Sequence, residues 1–243
     1  MASEIKGHLI RDGLVFVEDF KNPRCYQGST SINLADPSVT GTISQQSSLN
    51  AEDTWSNANI SSWANDISEI TFFTLIHVLR SHTGYAEHPV SKWNSSYANN
   101  ASFILYHFGN YLGNGSQLKF RWYGNQTAGD ASGWTNITNT AILSPGGTYL
   151  LTLQCAAPGA SQLWVNDTKA GSAVNLTGNL GQTSSGSSLS HMTTFIPPGG
   201  SDYRHAYNEA IAVYDRKLTD DEVRYTYNIY KGRTSRGASF TTG

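Results

Sequence analysis

Residues 201–232 read SDYRHAYNEAIAVYDRKLTDDEVRYTYNIYKG, and this stretch decides the fold. Tyr207, Glu209, Ile211 and Val213 alternate with Asn208, Ala210 and Ala212, the two-residue period of a strand. A charged turn follows at Asp215, Arg216 and Lys217, and the pattern then changes. Thr219 is placed to cap a helix with its hydroxyl, and Glu222, three residues on, completes a capping box. Asp220, Asp221 and Glu222 suit the positive N-terminal end of that helix, and Lys231 suits the negative end. Val223, Tyr227 and Tyr230 share one face, and Gly232 fits the position just past the C-terminus. The stretch predicts a core strand, a tight turn and one short amphipathic helix.

Upstream, the strand signals multiply. Gly13 to Val17 is a short apolar run, followed by a loop with Asn22, Pro23 and Gly28. Weak strands are expected near Ile32 and Thr42. Ile70 to Leu79 is apolar at both alternating sets of positions, so it is expected to be a central strand buried on both sides. Residues 81–101, with Gly84 and Pro89, look like a long excursion. Strands are predicted at Ser102 to Phe108, Gln117 to Tyr123, Trp134 to Thr138, Tyr149 to Cys155, Gln162 to Val165 and His191 to Ile196. The Asn166–Asp167 pair is a turn, and residues 171–190 are rich in Gly, Ser and Thr. Many short strands, turn signals between them and one convincing helix give an all-β, two-sheet antiparallel sandwich. No linker or internal repeat divides the chain. The expected organisation is an arm at 1–12, one domain at 13–232 and a tail at 233–243.

Composition narrows the function classes. The 243 residues suffice for a full core without staples. Only 14% of them are charged, against about 25% in ordinary domains. A net charge of −2 gives no electrostatic case for nucleic acid or an anionic membrane. The N-terminus MASEIKGHLIRDG has no apolar segment of signal-peptide type, and no stretch approaches the ~20 apolar residues of a helical span. Cys25 and Cys155 are read as two buried or partly buried free thiols, with a disulfide between them as the alternative. The triplets beginning at Asn94, Asn125 and Asn166 match the glycosylation pattern at a frequency that so much Asn, Ser and Thr explains by chance.

Three passages, in order and spanning nearly the whole chain, resemble the laminin-G-like jelly-roll members of the concanavalin A-like lectin/glucanase superfamily. DGLVFVEDFKNPRCYQGS at 12–29 is similar to an opening common in bacteriophage and large-virus members. TYLLTLQCAAPGASQLWVNDTKAG at 148–171 is similar to a hairpin ending in a YVNG-type turn. NEAIAVYDRKLTDDEV at 208–223 is similar to the closing signature, the most specific of the three. The resemblance implies a concanavalin A-like jelly roll with a terminal strand and a short helix. That fold hosts lectins, hydrolases and structural proteins alike.

Against this background the chemistry can be sorted. Glycosidases of the fold carry two carboxylates on one strand, because nucleophile and acid must stand ~5 Å apart across the scissile bond. No such run occurs here: Glu18–Asp19 and Glu52–Asp53 are adjacent, and Glu209 stands alone on its strand. The seven histidines do not cluster, and His77 and His107 read as sheet residues with ordinary partners. No catalytic residue and no metal site is therefore assigned, and the protein is expected not to be an enzyme. Calcium, used by some relatives, needs converging oxygens; Asp130 and Asp167 are loop candidates, but nothing in their spacing makes a site. A sugar would stack on exposed rings beside polar loop groups. Trp122, Tyr123, Asn125, Asp130 and Trp134, around the loop at 124–133, are the candidate glycan contacts, with packing of the sandwich edge as their alternative role. Trp55, Trp63, Trp93 and Trp164 are expected to pack.

The resulting expectation is a non-enzymatic virion component made in a host cytoplasm, most simply a capsid decoration or accessory protein. It would be a homo-oligomer that contacts capsid or tail proteins. The alternative is a glycan-binding adsorption module on a tail fibre or capsid surface.

Overall fold

A computed structural model describes residues 9–19, 23–27, 30–45, 53–56, 68–78, 86–93, 103–108, 117–123, 134–139, 143–144, 146–176, 188–194 and 206–234. In chain order the strands are β1 (Leu14–Asp19), β2 (Tyr26–Gln27), β3 (Thr30–Ile32), β4 (Thr40–Gln45), β5 (Asp53–Ser56), β6 (Glu69–Val78), β7 (Ala86–Trp93) and β8 (Phe103–Phe108). They continue with β9 (Gln117–Tyr123), β10 (Trp134–Asn139), β11 (Thr148–Ala156), β12 (Gly159–Val165), β13 (Thr168–Leu176), β14 (Ser188–Thr194) and β15 (Ala206–Tyr214), and the helix α1 (Asp220–Thr234) closes the described chain. Every strand pair is antiparallel. One sheet has six strands in the order β1-β15-β6-β11-β12-β13; the others run β10-β9-β8-β7-β14 and β2-β3-β4-β5. β5 lies beside β14, so the two smaller sheets continue one another in the second layer of the sandwich. The all-β sandwich with one C-terminal helix is the architecture expected from the sequence.

The apolar residues of β6 explain why the six-stranded sheet is central. Ile70, Phe72, Ile76 and Val78 join the inner core with Phe16, Leu151, Leu153, Leu163, Ile211 and Val213. Phe73 and Leu75, at the alternate positions, join an outer cluster with Leu150, Trp164, Ala210, Ala212 and Tyr214. Helix α1 covers that outer cluster with Val223, Tyr227 and Tyr230, each of them buried. Fully burying a side chain of this size contributes about 1.5–3 kcal/mol. Leu9 and Ile10 also pack on it, so the end of the N-terminal lead-in belongs to the fold.

The helix starts as its sequence demands. The Thr219 amide donates to Glu222 Oε2 at 2.8 Å, and the Glu222 amide donates back to Thr219 Oγ1 at 3.3 Å. It ends later than expected: Gly232 lies inside the last turn and Thr234 closes it. A glycine weakens a helix by about 1 kcal/mol without stopping it, and Arg233 continues the turn.

The β1 edge of the six-stranded sheet is covered, which removes the open ladder that invites aggregation. At the β1 edge, Asn33 Oδ1 accepts the amides of Val17 at 2.8 Å and Ala35 at 3.0 Å, while its Nδ2 donates to the Val15 carbonyl at 3.0 Å. The Leu34 amide adds a bond to the Val17 carbonyl at 2.8 Å. At the other edge β13 runs alongside β10 of the second layer.

Among the strands that the sequence reading did not place, two have plain physical reasons. The expected excursion at 81–101 contains β7, whose proline falls at a register shift between Glu87 and Val90, where the ladder needs no donor. The Gly/Ser-rich region contains β13, an edge strand with mostly exposed residues and hence no alternation to detect.

Candidate functional site

The candidate surface lies on the β8–β9–β10 part of the five-stranded sheet. In β9 the sequence QLKFRWY alternates: Leu118, Phe120 and Trp122 share one face, and Lys119, Arg121 and Tyr123 share the other. The register extends both sets. Trp122 is opposite Phe103 on β8 and Thr135 on β10, and Phe120 is opposite Leu105 and Ile137. On the second face Tyr123 is opposite Trp134, Arg121 lies between Ile104 and Asn136, and Lys119 lies between Tyr106 and Thr138. Such alternation is that of a sheet with one face on a core and one in water.

The structure therefore divides the candidate residues. Tyr123 and Trp134 are brought together as a cross-strand pair at the end of the hairpin. Trp122 is placed on the opposite, apolar face. Asn125 and Asp130 lie outside the described residues. Tyr106, Lys119, Arg121 and Asn136 share the face of the Tyr123–Trp134 pair and were not among the residues singled out. The alternation of QLKFRWY was the available signal for Lys119 and Arg121. Asn136 and Tyr106 needed the register of neighbouring strands, which the sequence does not print.

Among the described residues, several polar side chains away from this surface are structural. Trp164 is fully buried, and its indole N–H donates to Gln154 Oε1 at 2.5 Å. Gln154 Nε2 in turn donates to the Leu218 carbonyl at 2.7 Å, just before the helix. Lys169 and Arg224 stand 5.3 and 5.4 Å from the Trp164 ring, in the range of cation–π attraction. Trp164 is thus a seat for α1, as expected of a packing residue. Trp55 and Trp93 lie on β5 and β7, while Trp63 lies outside the described residues.

His77 Nδ1 stands 2.9 Å from Thr148 Oγ1, the ordinary partner expected of a sheet histidine. Cys25 and Cys155 are buried free thiols, and burial pushes the Cys155 thiol well above its usual range. Asn166 adopts a left-handed φ of 59° at its turn. Its Oδ1 accepts the Leu150 amide at 3.0 Å, which ties the turn to β11. Asp167 is an exposed turn residue.

Carboxylates collect at one end of the β1–β15 pair. Glu18 is opposite Ile211 and Asp19 opposite Ala210, while Glu209 lies at the register shift between Asn208 and Ala210. All three are buried, at 0%, 5% and 4% exposure, so none is presented to a polymeric substrate. Among the described residues no group of three or more His, Cys, Asp or Glu side chains is placed to hold a metal ion, and no helix is long and apolar enough to cross a membrane.

No family model matches the chain, and no curated protein matches it either. Solved structures share its fold. A binding-domain structure of botulinum neurotoxin serotype C1 aligns with a TM-score of 0.63 at 11% identity, over 90% of this chain and 52% of that one. A structure of botulinum neurotoxin type C, whose passage into cells depends on interaction with two ganglioside molecules, aligns at 0.60 and 9% identity, covering 90% and 51%. A Trypanosoma rangeli sialidase aligns at 0.58 and 12% identity, covering 88% and 32%. The chain spans about half the length of the toxin structures and about a third of the sialidase. At such identities the likeness is one of fold: this chain is built as an antiparallel β-sandwich.

Proposed function

We propose that this protein is a glycan-binding module of the laminin-G-like jelly-roll type, and that it uses the face of β8, β9 and β10 around Tyr123 and Trp134. The observation that carries the reading is the direct cross-strand pairing of these two aromatics on an edge hairpin. Paired rings on a sheet give a platform on which a sugar stacks, and Asn136 and Tyr106, on the same face, supply groups that read hydroxyls. On the opposite sheet, α1 packs over the outer cluster of Phe73, Leu75, Leu150 and Trp164.

This reading is preferred to a purely structural capsid role because the solved structures named above are of a toxin that depends on gangliosides and of a sialidase. Binding without turnover is part of the proposal, and Glu18, Asp19 and Glu209 lie buried in the β1–β15 region. The resemblance of the opening passage to phage and large-virus proteins makes a virion surface the proposed location, and mass spectrometry of purified particles tests it. A glycan array probed with the wild-type chain and with Trp134→Ala tests the function itself. Binding that the substitution removes is expected; an array on which the wild-type chain binds nothing would overturn the proposal.

A further inference from the structure

The charge of the candidate face departs from that of the chain. The whole protein carries a net charge of −2. Yet β8 (FILYHF), β9 (QLKFRWY) and β10 (WTNITN) contain Lys119 and Arg121 and no Asp or Glu. The two cations are neither scattered nor placed at random. They occupy alternate positions of β9, on the same face as Tyr123 and hence as Trp134. Alternate residues of a strand are about 7 Å apart, so Tyr123, Arg121 and Lys119 form a ladder: the aromatic pair first, one cation a step away and a second a step beyond. The positions flanking the cations across the sheet are Ile104, Tyr106, Asn136 and Thr138, so neither cation has a carboxylate beside it in the register.

We infer that the ligand is an acidic glycan, one bearing a carboxylate or a sulfate ester. One sugar ring stacks at the Tyr123–Trp134 pair, and the acid group of the same or an adjoining residue is received by Arg121 and Lys119. The planar fork of Arg121 suits a two-oxygen acceptor, and Lys119 adds a point charge. The inference rests on the glycan-binding reading and specifies its ligand class.

The test uses the full chain and two matched pairs of probes, each measured by calorimetry. One pair is 3′-sialyllactose against lactose; the other is a sulfated galactan oligosaccharide against its desulfated form. The acidic member of at least one pair is expected to bind about tenfold tighter or better, and the pair that shows the preference identifies carboxylate or sulfate as the group. Added sodium chloride should erode that preference in the wild-type chain, a readout that needs no variant. The double substitution Lys119→Gln and Arg121→Gln should bring the acidic glycan down to the affinity of its neutral partner, whereas Trp134→Ala should remove binding to both. Equal affinity for acidic and neutral members, insensitive to salt, would overturn the inference and leave the glycan-binding reading standing. Absence of binding to every glycan, on the array as well, would remove both.

Discussion

Gly13 and Arg216, two hundred residues apart, occupy one piece of space. Gly13 has a φ of +73°, and a Cβ built on it would stand 2.9 Å from Arg216 Cγ and 2.9 Å from Asp215 Oδ1. Its carbonyl accepts the Asp215 amide at 2.8 Å. Arg216 has little freedom to withdraw, because its guanidinium donates to both Glu222 oxygens, at 3.0 and 2.7 Å. The opening and closing passages of the sequence are thus complementary surfaces. Gly13→Ala should therefore destabilise the protein by about 2–3 kcal/mol, combining backbone strain with the clash. Gly146→Ala is its control: φ there is +77°, but nothing lies within 4 Å, so only the strain of about 1 kcal/mol is expected. Urea unfolding of the two variants checks the difference, and equal losses would show that Arg216 moves aside freely.

Glu222 serves two partners, and its charge can be separated from its shape. The Arg216 hydrogen bonds, followed by those from Thr219, lower its carboxyl pKa from 4.5 to about 2. A depressed carboxylate pKa adds stability that is fully present above the unfolded value of about 4.3 and is lost as pH falls toward 2. Glu222→Gln keeps the capping geometry and removes the charge. The substitution is expected to cost about 1 kcal/mol near neutrality, or roughly 2–4 °C in Tm for a chain of this size. The gap between wild type and variant should stay constant above pH 5 and close between pH 4.5 and pH 2. Thermal unfolding across that range measures it; a gap independent of pH would show that the substitution acts through geometry and not through charge.

Asn33 acts as a piece of backbone. Its side chain makes three bonds to Val15, Val17 and Ala35, doing at the sheet edge what a further strand would do. Asn33→Leu leaves two amides and a carbonyl without these bonds, at about 1–3 kcal/mol each where they stay buried. A loss of about 3 kcal/mol is expected, with faster aggregation on warming because β1 is uncovered. Asn33→Asp keeps the acceptor but loses the donor to Val15, and should fall between the two. Light scattering during a thermal ramp, alongside urea unfolding, distinguishes a bared edge from a merely weakened core.

What the sequence revealed follows from how local each signal is. The cap formed by Thr219 and Glu222 and the stripe of Val223, Tyr227 and Tyr230 are complete within a dozen residues, so they could be read directly. The same holds for β6, where both sets of alternating positions are apolar. β7 was hidden by Pro89, whose tolerance depends on a bulge fixed by β8. β13 was hidden because an edge strand needs no apolar face. The candidate site was half legible. The composition of residues 117–134 singled out Trp122, Tyr123 and Trp134 together, while the alternation of QLKFRWY sets Trp122 apart from Tyr123. That Tyr123 meets Trp134, and that Asn136 stands beside Arg121, depends on a pairing register that no single strand encodes.

The pairing of β1 with β15 has a consequence for the birth of the molecule. β1 takes its partner from residues 206–214, almost two hundred residues further along the chain. Until those residues emerge, Val15 and Val17 have Asn33 on one side and no neighbouring strand on the other. Loop closure over so great a separation is slow relative to local pairing. The six-stranded sheet is thus completed only after residues 206–214 have been made. Its nascent form has an open flank for longer than the finished protein ever does, and a chaperone or a second nascent chain would find the molecule there.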